Sequence, residues 1–106
     1  MRWNPLLLLA ALGSCSDSVD TFQVYDPQGR VRAAHVQVCG SETPMLQHGK
    51  YFFAGVPINC EGSGHIRLVY RDGNKTECAI GYVTGMSQNW YFRAESASCE
   101  PRRLHG

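Results

Sequence analysis

The chain has no apolar run longer than the seven residues of Leu6–Leu12. A membrane-crossing helix needs about 20, so that run is too short to span a bilayer. No stretch of ten or more residues carries helical periodicity, which leaves strands as the building material. There is no basic run either. Ten Lys and Arg are scattered among nine Asp and Glu, for a formal charge of +1. That excludes a track along a phosphate backbone, and with it nucleic acid as a partner. It also excludes a polybasic membrane patch. His35, His48, His65 and His105 sit on separate segments with no H-x-H or H-x3-H pair, and no two cysteines are as close as C-x2-C. Metal-ligand spacing is therefore missing, and no metal and no cofactor are expected. G-x-S-x-G is absent as well.

What is present begins at the N-terminus. Met1-Arg2 is a short cationic start, Leu6–Leu12 is an apolar core, and small residues follow. That is the layout of a secretory signal. Leu12-Gly13-Ser14-Cys15 resembles the lipobox of bacterial lipoproteins. The resemblance implies a diacylglyceryl group on the Cys15 sulfur, cleavage before Cys15, and acylation of the new amine, with palmitate as an expected chain. Ordinary cleavage after Gly13 is the plain alternative, and it leaves an unpaired exported cysteine. Two or three acyl chains together give stable anchoring. An Asp after the lipidated Cys would signal inner-membrane retention in Gram-negative sorting. Ser16 stands there instead, which by analogy points to the outer membrane, facing the periplasm.

Removal of residues 1–14 leaves 92 residues, enough for one small domain. Residues 15–20 read as a lipidated tether, 21–99 as the domain and 100–106 as a flexible tail. With Cys15 carrying lipid, Cys39, Cys60, Cys78 and Cys99 remain. An even set in an exported chain reads as two disulfides. Three connectivities are open, and 39–60 with 78–99 is preferred because each closes a local loop.

Thr21–Tyr25 reads as a first strand and Asp26-Pro27-Gln28-Gly29 as a turn, with Pro where φ is fixed and Gly where φ turns positive. Val31–Cys39 is a second strand. Its Ala34, Val36 and Val38 share one face, and His35 and Gln37 the other. Gly40–Gly49 reads as a loop and Lys50–Ala54 as a short aromatic strand leading to Gly55-Val56-Pro57. The D-x-x-G turn, the small-residue strand and the Gly49-Lys50-Tyr51-Phe52-Phe53 segment resemble the transthyretin-like sandwiches, among them carboxypeptidase regulatory-like domains. The resemblance covers about the first 40 residues of the mature chain. It implies a β-sandwich used for structure or binding, with no shared catalytic residues.

The second half is read from register. His65–Arg71 and Lys75–Val83 flank Asp72-Gly73-Asn74. A loop of those three residues pairs Arg71 with Lys75 and puts Ile66 opposite Ile80 and Leu68 opposite Cys78, so apolar meets apolar. Asn74 then takes the left-handed position. A second hairpin around Thr84–Gln88 sets Tyr82 opposite Trp90 and Ile80 opposite Phe92. The expected fold is an all-β, small antiparallel sandwich stapled by two disulfides, with a C-terminal three-strand meander. Its inner face holds Gly64–Tyr82–Trp90, Ile66–Ile80–Phe92 and Leu68–Cys78–Ala94.

The outer face of that meander is the candidate binding site. His65, Arg67, Tyr91 and Arg93 stand on either side of a middle strand of small residues, Gly81 and Ala79. Guanidinium groups suit an anionic group, and aromatic rings suit a sugar or a partner side chain. The plain reading is a solvated sheet face with charge pairs such as Arg93 with Glu77 or Glu95. The outward aromatics of Tyr51-Phe52-Phe53 and Trp90-Tyr91-Phe92 are expected to be covered in so small a sandwich. Ser63 and His65 lie about 6.6 Å apart on one strand face, but Glu77 falls opposite Val69, about 13 Å from His65 along the strand, so no triad closes. Gly62 and Gly64 allow a bulge or tight strand entry. Asn74-Lys75-Thr76 matches a glycosylation sequon that matters only in a eukaryotic source. The expected function is a membrane-anchored periplasmic lipoprotein, a non-enzymatic binding or structural module, anchored through Cys15, with a protein or cell-wall glycan partner. The alternative is an inhibitor or immunity protein against a secreted or cell-wall hydrolase.

Overall fold

Apolar–polar alternation is carried into nine strands in the computed structural model, which describes residues 18–95 and 98–101. They are β1 (Ser18–Tyr25), β2 (Val31–Val38), β3 (Ser41–Pro44), β4 (Leu46–His48), β5 (Tyr51–Ile58), β6 (Gly62–Tyr70), β7 (Lys75–Val83), β8 (Asn89–Ala94) and β9 (Cys99–Pro101). Two sheets form, one in the order β4-β5-β1-β8-β9 and one in the order β3-β2-β6-β7. The core lies between them. Phe22, Val24, Phe52, Val56 and Phe92 enter from the five-stranded sheet, and Val36, Ile66, Leu68, Cys78 and Ile80 from the other. The all-β sandwich and both disulfides are as expected: Cys39 bonds Cys60 and Cys78 bonds Cys99. Each bridge joins the sheets. Cys39 follows β2 and Cys60 follows β5, while Cys78 lies in β7 and Cys99 opens β9.

The Asp26–Gly29 turn is built as its residues dictate. The Gly29 amide donates to the Asp26 carbonyl, and Gly29 has a φ of 66°. Asp26 is buried, and its carboxylate accepts from the Arg30 and Val31 amides at 3.1 and 3.0 Å. A buried acceptor with two backbone donors is satisfied, so the turn is fixed.

The meander does not form. β8 leaves β7 and crosses to the other sheet, where it runs parallel to β1, with Phe22 beside Trp90 and Val24 beside Phe92. The Thr84–Gln88 connection is long enough to cross the roughly 10 Å between packed sheets. The seam is pinned by Asp20. This fully buried carboxylate accepts the Gln88 amide at 3.0 Å and the Trp90 indole N–H at 3.1 Å. Trp90 stacks on Phe22, and a Cβ on Gly81 would come within 3.3 Å of its ring, a tight contact.

The β6–β7 register is displaced by two residues from the expected one. Ile66 pairs with Cys78 and Leu68 with Thr76. Arg71-Asp72-Gly73 makes the turn: Tyr70 N–H donates to the Asn74 carbonyl, and Gly73, not Asn74, takes positive φ at 93°. A shift of two keeps every side chain on its expected face, so Ile66, Leu68, Cys78 and Ile80 are still buried. The phase breaks later, with a register shift between Gly62 and Gly64 on the facing strand. Val83 is therefore buried and Tyr82 is 60% exposed, its hydroxyl donating to Glu61. A Cβ on Gly64 would come 2.4 Å from the Gln37 carbonyl oxygen, so this entry to β6 needs glycine.

Gly40–Gly49 is not a loop but two short strands, β3 and β4. Cys39 and Gly40, with φ of 55° and 75°, form a two-residue turn of the kind hairpins favour. β1 begins within the expected tether, at Ser18. β9 extends to Pro101, within the expected tail, and Cys15 and residues 102–106 lie outside the described residues.

Tyr70 joins the far ends of the two sheets. Its buried hydroxyl donates to the Glu95 carbonyl. Burial above all, with the charges of Asp26, Glu95 and Asp72, raises its pKa above the ordinary 10.0. The unfolded phenol therefore loses its proton at lower pH than the folded one. This contribution to stability is complete below pH about 10 and is lost as pH rises through the folded value. Tyr70→Phe should cost about 1 kcal/mol at neutral pH and show a shallower alkaline decline, as read from urea midpoints between neutral and strongly alkaline pH. Identical alkaline slopes in the two proteins would contradict this.

Candidate functional site

The four residues expected to share a trough are split between the two sheets. His65 and Arg67 lie on the outer face of the four-stranded sheet, Tyr91 and Arg93 on the outer face of the five-stranded sheet. The crossing of β8 separates them.

On the four-stranded sheet the outer face is charge-paired. Arg67 bonds Glu42, and His65 Nε2 lies 3.4 Å from Glu77 Oε2. The shifted register brings Glu77 opposite Arg67 and diagonal to His65, which corrects the separation expected from sequence. Ser63 makes no hydrogen bond to His65, and the nearby hollow of about 450 Å³ is lined by Gln37, Ser41, Glu42, Ser63 and His65. Among the described residues no group of three His, Cys, Asp or Glu could hold a metal ion.

The other outer face has a different chemistry. β1, β5 and β8 each put Phe on the inside and Tyr, Phe or Arg outside, because alternate residues face opposite ways. Pairing then aligns the outward residues into two rows. One runs His48–Tyr51–Tyr25–Arg93, the other Leu46–Phe53–Gln23–Tyr91. Leu46 is 67% exposed, Phe53 43% and Tyr51 36%, and Val19 at the start of β1 is 50% exposed. These aromatics were expected to be covered, but Tyr51 and Phe53 are exposed. The Tyr25 and Tyr51 rings stack at 5.0 Å, and the Arg93 guanidinium lies 5.6 Å from the Tyr25 ring centre. Arg93 is held by Glu95 at 2.7 Å. The rows between β4 and β8 carry no Asp, Glu or Lys.

Stacking across neighbouring strands means that Tyr25 and Tyr51 stand upright on the sheet, their faces turned to each other. The surface is apolar between the phenol tips, with the Arg93 guanidinium at its β8 side. Two hollows lie elsewhere, at the β2–β3 turn and beside Gly29 and Tyr70. Leu46 and His48 could not be placed on this face from sequence, because their segment carries no strand signal. The outward positions of Tyr25, Phe53 and Tyr91 were readable from alternation, but their alignment required the parallel β1–β8 pairing.

No family model and no curated protein matches the chain. An NMR structure of a protein from Eubacterium rectale does match, over 86% of this chain and 91% of that chain, with a TM-score of 0.51 and 14% identity. At that identity the two share a fold. The likeness carries no statement about binding.

Proposed function

We propose that the chain is an exported, lipid-anchored, non-enzymatic binding module that takes a protein partner on the outer face of its five-stranded sheet. The observation that carries this reading is the contrast between the two outer faces. One is charge-paired, while the other exposes Leu46, Tyr51 and Phe53 beside Tyr25 and Tyr91. Large exposed apolar patches mark interaction sites. Small ligands need a concave pocket, and the two hollows lie off this face. Tyr, Phe and Arg without Lys, Asp or Glu is the composition of interface centres. A glycan would stack on ring faces, but those of Tyr25 and Tyr51 are turned to each other.

The lipobox-like Leu12–Cys15 supports the anchor. β1 begins at Ser18, so a lipid on Cys15 would hold this central strand within about 10 Å of the membrane. Facing the periplasm from the outer membrane is the orientation that Ser16 supports. Intact mass of the membrane fraction tests the anchor: wild type should carry acyl chains that Cys15→Ser lacks, and equal masses would remove it.

Photo-cross-linking in cells tests the face. A photoreactive residue at Phe53 or Tyr91 should give one discrete protein adduct, and the same residue at Glu77 should give none. Tyr51→Ser with Phe53→Ser should abolish the adduct at Tyr91 with less than about 1 kcal/mol lost in stability, because exposed side chains contribute little to the fold. Adducts of equal strength from both sheets, or from neither, would refute the face. If the adducted partner is a secreted or cell-wall hydrolase, one-to-one loss of its activity identifies the module as an inhibitor or immunity protein.

A further inference from the structure

Sheet edges attract other strands because their outer N–H and C=O groups lack partners, and proteins blunt them by keeping edge strands short. Three of the four edges here are blunted in that way: β3 has four residues, β4 three and β9 three. β7 is the exception: Lys75–Ile80 is a regular edge of six residues ahead of the register shift and, among the described residues, has β6 as its sole pairing partner. The Tyr70-to-Asn74 bond sets the phase of the ladder. Thr76, Cys78 and Ile80 direct their backbone groups to β6, so Lys75, Glu77 and Ala79 direct theirs to the open side.

A second observation points to the same edge. Among the described residues, the exposed large hydrophobics Val19, Leu46, Tyr51 and Phe53 belong to the five-stranded sheet, and the other two are Tyr82, at 60%, and Met86, at 75%. Tyr82 lies near the end of β7 and Met86 in the loop that follows.

We propose that β7 pairs with β7 of a second copy, antiparallel about a two-fold axis at Ala79, joining two four-stranded sheets into one of eight. In this register Ala79 meets Ala79 and Cys78 meets Ile80; past Ile80 the extra residue of β7 turns Tyr82 to the outer face, opposite Glu77 and diagonal to Lys75. The smallest side chains lie at the centre, and no like charges oppose. The Lys75 stem and ammonium come beside the exposed Tyr82 ring of the other copy, twice by symmetry. An axis at Glu77 instead would set two carboxylates face to face. The strand is therefore complementary to itself about Ala79, which is what a two-fold interface requires. This pairing is independent of the aromatic face.

The test uses the full chain carrying Cys15→Ser, so that acyl chains do not themselves drive association. Sedimentation equilibrium should show a reversible dimer. Ala79→Pro removes two symmetric N–H donors from the open edge without touching the β6 ladder, because His65 and Ala79 form a non-hydrogen-bonded pair. It should raise the dissociation constant at least about tenfold and leave the urea midpoint unchanged at a concentration where both proteins are monomeric. Ala79→Cys should form a covalent dimer on mild oxidation, because directly paired strand residues lie about 5.5 Å apart at Cα, within disulfide reach. Lys75→Cys should not, because its two copies lie about 26 Å apart. A monomer at millimolar concentration overturns the proposal. So does a dimer indifferent to Ala79→Pro, a dimer dissolved by Phe53→Ser, or equal cross-linking from positions 75 and 79.

Discussion

Reducing both disulfides should unfold this domain at room temperature. Each bridge closes a separation of 21 residues, and a loop of that length contributes about 3 kcal/mol through the entropy of the unfolded chain. Two such bridges amount to about 6 kcal/mol, comparable to the whole stability of a small domain. The core between the sheets is thin, and the bridges are what tie one sheet to the other at Cys39–Cys60 and Cys78–Cys99. Losing the second also leaves β9, three residues long, held to the sheet by its pairing with β8 alone. Circular dichroism during a urea titration, with and without reductant, measures the effect. A cooperative transition at the same midpoint in reductant would show that the core alone suffices. Replacing one pair at a time by Ala should leave a folded protein about 3 kcal/mol less stable.

Asp20→Ala should cost about 3 kcal/mol. The substitution leaves the Gln88 amide and the Trp90 indole N–H without their acceptor in a buried place, and each unsatisfied donor costs about 1–3 kcal/mol. It also loosens the seam between β1 and β8, so Trp90 emission should shift to the red at neutral pH. Asp20→Asn keeps one acceptor oxygen and should cost less. If Asp20→Ala and an exposed control such as Gln28→Ala gave the same urea midpoint, the buried carboxylate would have no part in the seam.

Much of the fold follows from patterns in the sequence. Alternation fixes which residues of β1, β2, β6 and, as far as Ile80, β7 face the core, the D-x-x-G turn fixes the first connection, and local loop closure selects both disulfides. Registry is legible only to parity. Ile66 packs as well opposite Cys78 as opposite Ile80, so a slip of two residues leaves the apolar pattern unchanged. Which sheet receives β8 is hidden for a similar reason. Phe92 and Ala94 point to the core from either sheet, and the bonds of Asp20 to Gln88 and Trp90 distinguish the two. Reading β8 beside β7 assembles a trough of His65, Arg67, Tyr91 and Arg93 that does not exist. The same error conceals the aromatic face, whose rows depend on β8 lying next to β1. β3 and β4 are illegible because Ser41–His48 contains neither a β-branched run nor a clear alternation.

The Asp20–Trp90 bond joins residues 70 apart in the chain, which also dictates an order of events. A growing or emerging chain can pair β1 with β5 and β6 with β7 early, but the β1–β8 seam waits for Asn89–Ala94, and the second disulfide for Cys99. Long-range closure of this kind makes folding slow. Tyr91 and Arg93 arrive with that last step, so the proposed docking surface is completed only when the fold is. A chain cut short before β8 has half a face and no means of holding it, and a partner that engages only the complete face would leave such fragments unbound.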